Sequence, residues 1–174
     1  VKSSAVRRYL SGETTPAIAR DLGVSAVAIC KLLARRGIVR RDRSEAQRYL
    51  RLKHDAFDNL ESATLYWAGF LMADGTIIRR AGSAEIALVL SARDRTHVEA
   101  FRQFLGSEHA ITPIHSPPSA PALRFSVRSN PIAAALAWFG VMPNKSLTAS
   151  ASAVAINSRD FWRGVIDGDG YIAR

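Results

Sequence analysis

Read from the amino end, the apolar positions first fall at helical spacing. Thr14-Thr15-Pro16 reads as a helix start, with a threonine cap and a proline tolerated in the first turn, and residues 17–22 make a short helix that Gly23 stops. Ser25 caps a second helix over residues 26–36, closed by Gly37. On it Ile29, Leu32 and Leu33 share one face with the stem of Arg36, while Val27, Lys31 and Ala34 lie opposite and Cys30 and Arg35 flank them. Residues 43–56 are charged, weakly amphipathic and helical in pattern, as befits a connector. Beyond it the period changes. Residues 76–80 and 84–91 form a hairpin around Ala81-Gly82, with Ile86, Leu88 and Leu90 alternating on one face. A helix over residues 93–105 presents Val98, Phe101, Phe104 and Leu105 to that sheet. A second hairpin joins residues 109–115 to 122–128 through the proline-rich 116–121, with Leu123, Phe125 and Val127 inward and Arg124, Ser126 and Arg128 outward. Residues 130–140 make a further apolar helix. The fold class expected is α+β, a small all-α domain over residues 1–53 followed by a mixed domain over 54–174.

Composition narrows the class. At 174 residues and 48% hydrophobic the chain is expected to fold, and no apolar stretch approaches the roughly 20 residues of a membrane span. No export leader is visible, so a cytoplasmic location is expected, subject to the chain beginning at Val1 rather than Met. A lone Cys30 excludes an internal disulfide and a cysteine zinc site. The four histidines show no metal-ligand spacing.

Charge adds a partner. The net charge is +9, and residues 1–53 hold 13 Lys/Arg against 4 Asp/Glu, whereas 54–174 hold 11 of each. The whole excess lies in one short segment, which favours a polyanion such as nucleic acid. Two short helices, a glycine turn, small Ala19 where the helices approach and Val24 after the glycine resemble a helix-turn-helix. The basic run Arg35, Arg36, Arg40, Arg41, Arg43 supports a DNA-binding reading over a purely structural hairpin. Val27, Lys31 and Arg35 are the candidate contacts, Lys31 foremost. Cys30 reads as a small residue at the edge of the helical core more readily than as a thymine contact.

Two segments then repeat one pattern. Trp67-Ala68-Gly69-Phe70-Leu71-Met72-Ala73-Asp74-Gly75 and Trp162-Arg163-Gly164-Val165-Ile166-Asp167-Gly168-Asp169-Gly170 both read aromatic, x, Gly, apolar, apolar, x, small, Asp, Gly, 95 residues apart (169 minus 74). Each predicts a short helix begun near Ser62 or Ser158 and ended by the glycine after the aspartate in a left-handed conformation. Gly69 and Ala73, and Gly164 and Gly168, lie four apart, so two such helices can approach more closely than the usual ~8 to 10 Å. That brings Asp74 and Asp169 together at the negative ends of two helix dipoles. A divalent cation would relieve both the dipole and the mutual repulsion, and hard oxygen ligands suit Mg²⁺.

The repeated motif resembles that of the LAGLIDADG homing endonucleases. The resemblance implies a first αββαββα repeat over 62–157 and the start of a second over 158–174, with the rest of the second repeat outside these residues and the activity of this piece alone open. It implies Mg²⁺-dependent hydrolysis of both strands of a double-stranded DNA target, with Asp74 and Asp169 as catalytic metal ligands. The complete protein is then expected to be a monomer of two pseudo-symmetric repeats. The outward sheet face is expected in the DNA major groove, which makes Arg79, Arg124 and Arg128 candidate contacts. Lys145, in a Pro-x-Lys-Ser segment resembling one common before the second motif, joins them. Asp167 stands opposite Met72 in the repeat, so it is read as a local cap or partner rather than a ligand. Two alternatives remain: a DNA-binding transcription regulator derived from such a domain, and an intron RNA maturase on the same fold.

Overall fold

In a computed structural model of the chain, the described residues are 2–41, 50–115, 118, 120–143 and 150–169. They form a mixed α+β structure, with eight α-helices and one four-stranded antiparallel sheet among them. The chain divides into two compact units, Val1–Arg51 and Leu52–Arg174.

The first unit holds α1 (Lys2–Leu10), α2 (Thr15–Asp21) and α3 (Ala26–Arg35). Thr14 caps α2 by accepting from the Ala17 amide at 3.3 Å, and Ser25 caps α3 by accepting from Ala28 at 3.1 Å. Gly23 and Gly37 both take positive φ, 65° and 68°, the left-handed stops the sequence leads one to expect. Helix α1 is an addition to that expectation; Ala5 and Tyr9, four apart, bury against Ile18, Ala19, Ile29 and Leu33. The guanidinium of Arg41 lies 4.0 Å over the Tyr9 ring and donates to the carbonyls of Tyr9, Gly12 and Glu13. Arg41 is thus a clasp of this core, and the basic run expected to face nucleic acid loses one member to it. Arg43 lies outside the described residues.

The second unit begins with α4 (Ser62–Ala73), which runs straight into β1 (Gly75–Arg80); β2 (Ser83–Ser91) returns through a turn in which Gly82 has φ 72°. A 3-10 turn (Ala92–Asp94) leads into α5 (Arg95–Phe104), then β3 (Thr112–Ile114), β4 (Ala122–Arg128), α6 (Asn130–Trp138), α7 (Ala153–Ile156) and α8 (Arg159–Asp169). The strand order is β1-β2-β4-β3. Ile77, Ile86, Leu88, Leu123, Phe125 and Val127 line one face and bury against Val98 and Phe101 of α5, Ile132 and Leu136 of α6, and Phe70 and Leu71 of α4. Strand β3 is shorter than the seven residues of the 109–115 expectation: it carries Pro113, which donates no hydrogen bond and is tolerated because β3 is an edge strand.

Two helix-end expectations are corrected. Ser158 does cap α8, accepting from the Phe161 amide at 3.2 Å, but α4 starts after Glu61 with no side-chain cap, Ser62 being its first residue. Gly75 is not left-handed either; it is the first residue of β1, paired with Leu88. Its requirement is space, because a Cβ there would lie 2.6 Å from the Leu71 carbonyl oxygen. Gly170 lies outside the described residues.

Candidate catalytic site and nucleic-acid interface

The site is built on α4 and α8. Helix α4 is apolar on nearly every side, since it packs against the sheet layer with Trp67, Ala68 and Leu71 and against α8 with its glycine face. A Cβ on Gly69 would fall on the Phe161 carbonyl oxygen and lie 3.1 Å from the Val165 nitrogen. A Cβ on Gly164 would fall on the Tyr66 carbonyl oxygen and lie 2.7 Å from the Phe70 nitrogen. The same 95-residue offset that relates Gly69 to Gly164 relates Tyr66 to Phe161 and Phe70 to Val165. The contacts are therefore reciprocal, as a local two-fold axis between the helices requires. Nearer their ends, a Cβ on Gly168 would lie 2.6 Å from Ala73 Cβ, the residue related to it by the offset. All four small positions, Gly69, Ala73, Gly164 and Gly168, thus sit in the contact, and the helices run in the same direction.

Parallel packing brings the two C-terminal ends to one place. Asp74 closes α4, its amide donating to the Phe70 carbonyl at 2.9 Å. An oxygen of its half-buried carboxylate lies 3.7 Å from the point where a Gly168 side chain would begin. Gly168 directly precedes Asp169, the exposed last residue of α8. Both acids stand where helix carbonyls accumulate negative potential. Among the described residues no group of three or more His, Cys, Asp or Glu is placed to hold a metal ion. Two carboxylates flanked by helix-end carbonyls and open to solvent nevertheless fit an oxygen-coordinated ion that keeps much of its water, which is the habit of Mg²⁺.

A cavity of about 410 Å³ opens beside Asp74, lined by Phe70, Leu90, Asp94, Thr96, His97, Asp167 and Gly168. Here sequence reasoning missed two side chains, Tyr66 and His97, while Asp167, read from sequence as a local cap or partner, is bonded by one of them. The Tyr66 hydroxyl donates to Asp167 Oδ2 at 2.9 Å, across the helix pair, and lies 3.3 Å from His97 Nε2. His97 is half-buried with its ring 4.4 Å from that of Phe70 and 4.8 Å from that of Trp67. Burial pushes the His97 pKa down against the upward pull of Asp167, Asp94 and Asp74. Burial, and then the bond to Asp167, push the Tyr66 hydroxyl up, so it stays protonated and remains a donor. The signal available in the sequence was the departure from the repeat: Tyr66 faces Phe161, and Asp167 faces Met72.

On the sheet, strand alternation sorts the candidate contacts. Arg124 and Arg128 lie on the face away from the core, with Glu85, which bonds Arg124 at 2.7 Å. Burial pushes the Glu85 carboxyl up, but bonds from Arg124 and Ser126 and the charges of Arg124 and Arg128 outweigh it, leaving Glu85 below the usual carboxylate range. Arg79 shares its side of β1 with Gly75 and Ile77 and pairs with buried Ala84, so it belongs to the core-side rim. Arg80, passed over from sequence, is the β1 arginine on the outward face. In the first unit Val27, Lys31 and Arg35 are all exposed on α3. Lys145 lies outside the described residues. No helix among the described residues is long and apolar enough to cross a membrane. Comparison with protein-family models, with curated proteins and with solved structures returned no match.

Proposed function

We propose that this chain belongs to a metal-dependent, site-specific DNA endonuclease of the LAGLIDADG homing type. The observation that carries the reading is the reciprocal glycine contact between α4 and α8, with Asp74 against the residue that precedes Asp169. A helix pair held only by packing has no need of aspartates at both negative ends, whereas a cation platform does. Asp74 and Asp169 would hold the ion. When bound, a divalent cation polarises the scissile phosphate and lowers the pKa of a water molecule. The chain's own contribution is to fix two carboxylates on backbones too close to slide, and to hold the duplex with Arg80, Arg124 and Arg128 on the outer sheet face and with the basic first unit. Trp162 and Ile166, the counterparts of buried Trp67 and Leu71, are 45% and 50% exposed, and on this reading a second sheet packs over them. Double-stranded DNA is the partner, in a cytoplasmic setting, and the complete protein is a monomer with two pseudo-symmetric halves.

The test uses the full-length protein on a supercoiled plasmid library of randomised targets. Cutting in Mg²⁺ is expected, and Asp74→Asn or Asp169→Asn should each abolish it while DNA binding in Ca²⁺ persists. Each variant should also weaken Mn²⁺ binding, read by electron paramagnetic resonance without DNA. Loss of cutting and DNA binding together, with Mn²⁺ affinity unchanged, would point to a structural role and refute the assignment. The concentration of net charge in the first unit favours one second reading, a regulator that binds DNA without cutting it. Intact plasmid under binding conditions would select that reading.

A further inference from the structure

The halves of the helix pair are not chemically equal, and the inequality sits beside Asp74. Under the 95-residue offset the bond from Tyr66 to Asp167 has Phe161 and Met72 at its symmetry-related place. Neither has a hydroxyl to give or a carboxylate to receive. The 410 Å³ cavity lies on the Tyr66 side, and His97 enters it from α5. Water occupies about 30 Å³ per molecule in the liquid and settles where two to four polar partners surround it. Asp74, Asp94, Thr96, His97 and Asp167 supply such partners in a space large enough for several molecules. Asp167 lies in the last turn of α8 and is exposed, so without a bond it would sample solvent; the Tyr66 hydroxyl, backed by His97, holds it.

We propose that Tyr66 and His97 are positioning residues that order water beside Asp74 through a bond that Phe161 and Met72 cannot form at the related place, so that the protein cuts its two DNA strands at unequal rates. The inference rests on the endonuclease reading. Hydrolysis joins the water oxygen to phosphorus, breaks the bond from phosphorus to the 3′ oxygen, and passes the water proton through solvent to that oxygen. Pre-placing the attacking water on one side lowers the barrier for one strand.

The experiment labels the two strands of a cleaved target with different fluorophores and measures single-turnover rates of the full-length protein in Mg²⁺. Tyr66→Phe installs the residue that already stands at position 161 in the same packing, so the helix pair should survive it. It is expected to change the ratio of the two strand rates by about tenfold or more, the scale of a misplaced reactant. His97→Gln should move the ratio in the same direction. A merely structural role would slow both strands together, and that outcome, or an unchanged ratio in both variants, overturns the inference while leaving the endonuclease reading intact. A wild-type protein that cuts neither strand overturns both.

Discussion

Replacing Gly164 by alanine tests the helix contact on which the site depends. The added Cβ would fall on the Tyr66 carbonyl oxygen and lie 2.7 Å from the Phe70 nitrogen. Ordinary contact begins near 3.4 Å, so the nitrogen alone demands a shift of 0.7 Å (3.4 minus 2.7), and the carbonyl demands more. Both obstacles are backbone, so no rotamer change relieves them and the helices must separate. Overpacking of this kind destabilises by about 1 to 3 kcal/mol, which with a urea slope of about 2 kcal/mol per molar lowers the midpoint by roughly 0.5 to 1.5 M. Gly168→Ala meets a different obstacle, the Ala73 Cβ at 2.6 Å, and this one can be removed. Combining it with Ala73→Gly exchanges the methyl between helices and should recover most of the loss, with a coupling energy of at least about 1 kcal/mol. No second substitution of one side chain should rescue Gly164→Ala. Urea unfolding followed by tryptophan fluorescence reads the parent, Gly164→Ala, Gly168→Ala, Ala73→Gly and the double variant, since Trp67 and Trp162 sit on the two helices. A Gly164→Ala protein as stable as the parent, or strict additivity of the Gly168 and Ala73 changes, would refute the packing argument.

Arg41 and Arg35 should separate structure from binding in the first unit. Arg41→Ala removes the guanidinium donor from the Gly12 and Glu13 carbonyls and one of two donors from that of Tyr9, and should destabilise that unit by about 1 to 3 kcal/mol in thermal unfolding. Arg35→Ala should leave its stability unchanged and reduce the salt slope of DNA binding by about one. Because the folded pKa of His97 is depressed below its ordinary 6.5, the folded state resists a proton that the unfolded chain accepts, so stability is full above that pH and falls as pH drops toward the folded value. His97→Gln should flatten that part of the stability profile, leaving a remainder from His109, whose pKa burial also lowers; an unaltered profile would contradict the assignment. Glu85→Gln frees Arg124 from its partner on the outer sheet face and should raise affinity for non-specific duplex at low salt, measured by fluorescence anisotropy.

The sheet and its flanking helices were legible because period-two and period-3.6 patterns carry their own burial. Ile86 and Leu88 fall on the core side, and Val98 and Phe101 face them. Helix α1 was not, because its burial depends on two residues, Ala5 and Tyr9, with no acidic first turn or cap visible ahead of them. Arg79 shows the limit of assigning arginines by neighbourhood: counting alternate residues from buried Ile77 puts Arg79 on the core side and Arg80 outward. The helix pair was legible in its small residues but not in its asymmetry. A repeat draws attention to what matches, and Tyr66, His97 and Asp167 matter through tertiary contacts that no spacing encodes.

The placement of Asp74 and Asp169 argues for a cation more strongly than their chemistry alone does. Every hydrogen-bonding need of the two helix ends favours a positive group there, and lysine or arginine in the last turn would supply it, yet neither α4 nor α8 has a basic residue in its last turn. Moving either acid outward would relieve the repulsion. The glycine contacts hold the two backbones in place, because Gly69 and Gly164 each abut the backbone of the other helix and leave no room for a side chain, while Gly168 abuts the Ala73 methyl. On the proposed reading, a bound cation offsets the negative potential that this packing gathers at the two helix ends. The affinity of the ion should therefore track the separation of the helices. Gly164→Ala, which leaves both carboxylates in the chain, should weaken Mn²⁺ binding in the same order as it weakens stability; a variant whose helices part while its metal affinity holds would show that the ion, if bound, is held elsewhere.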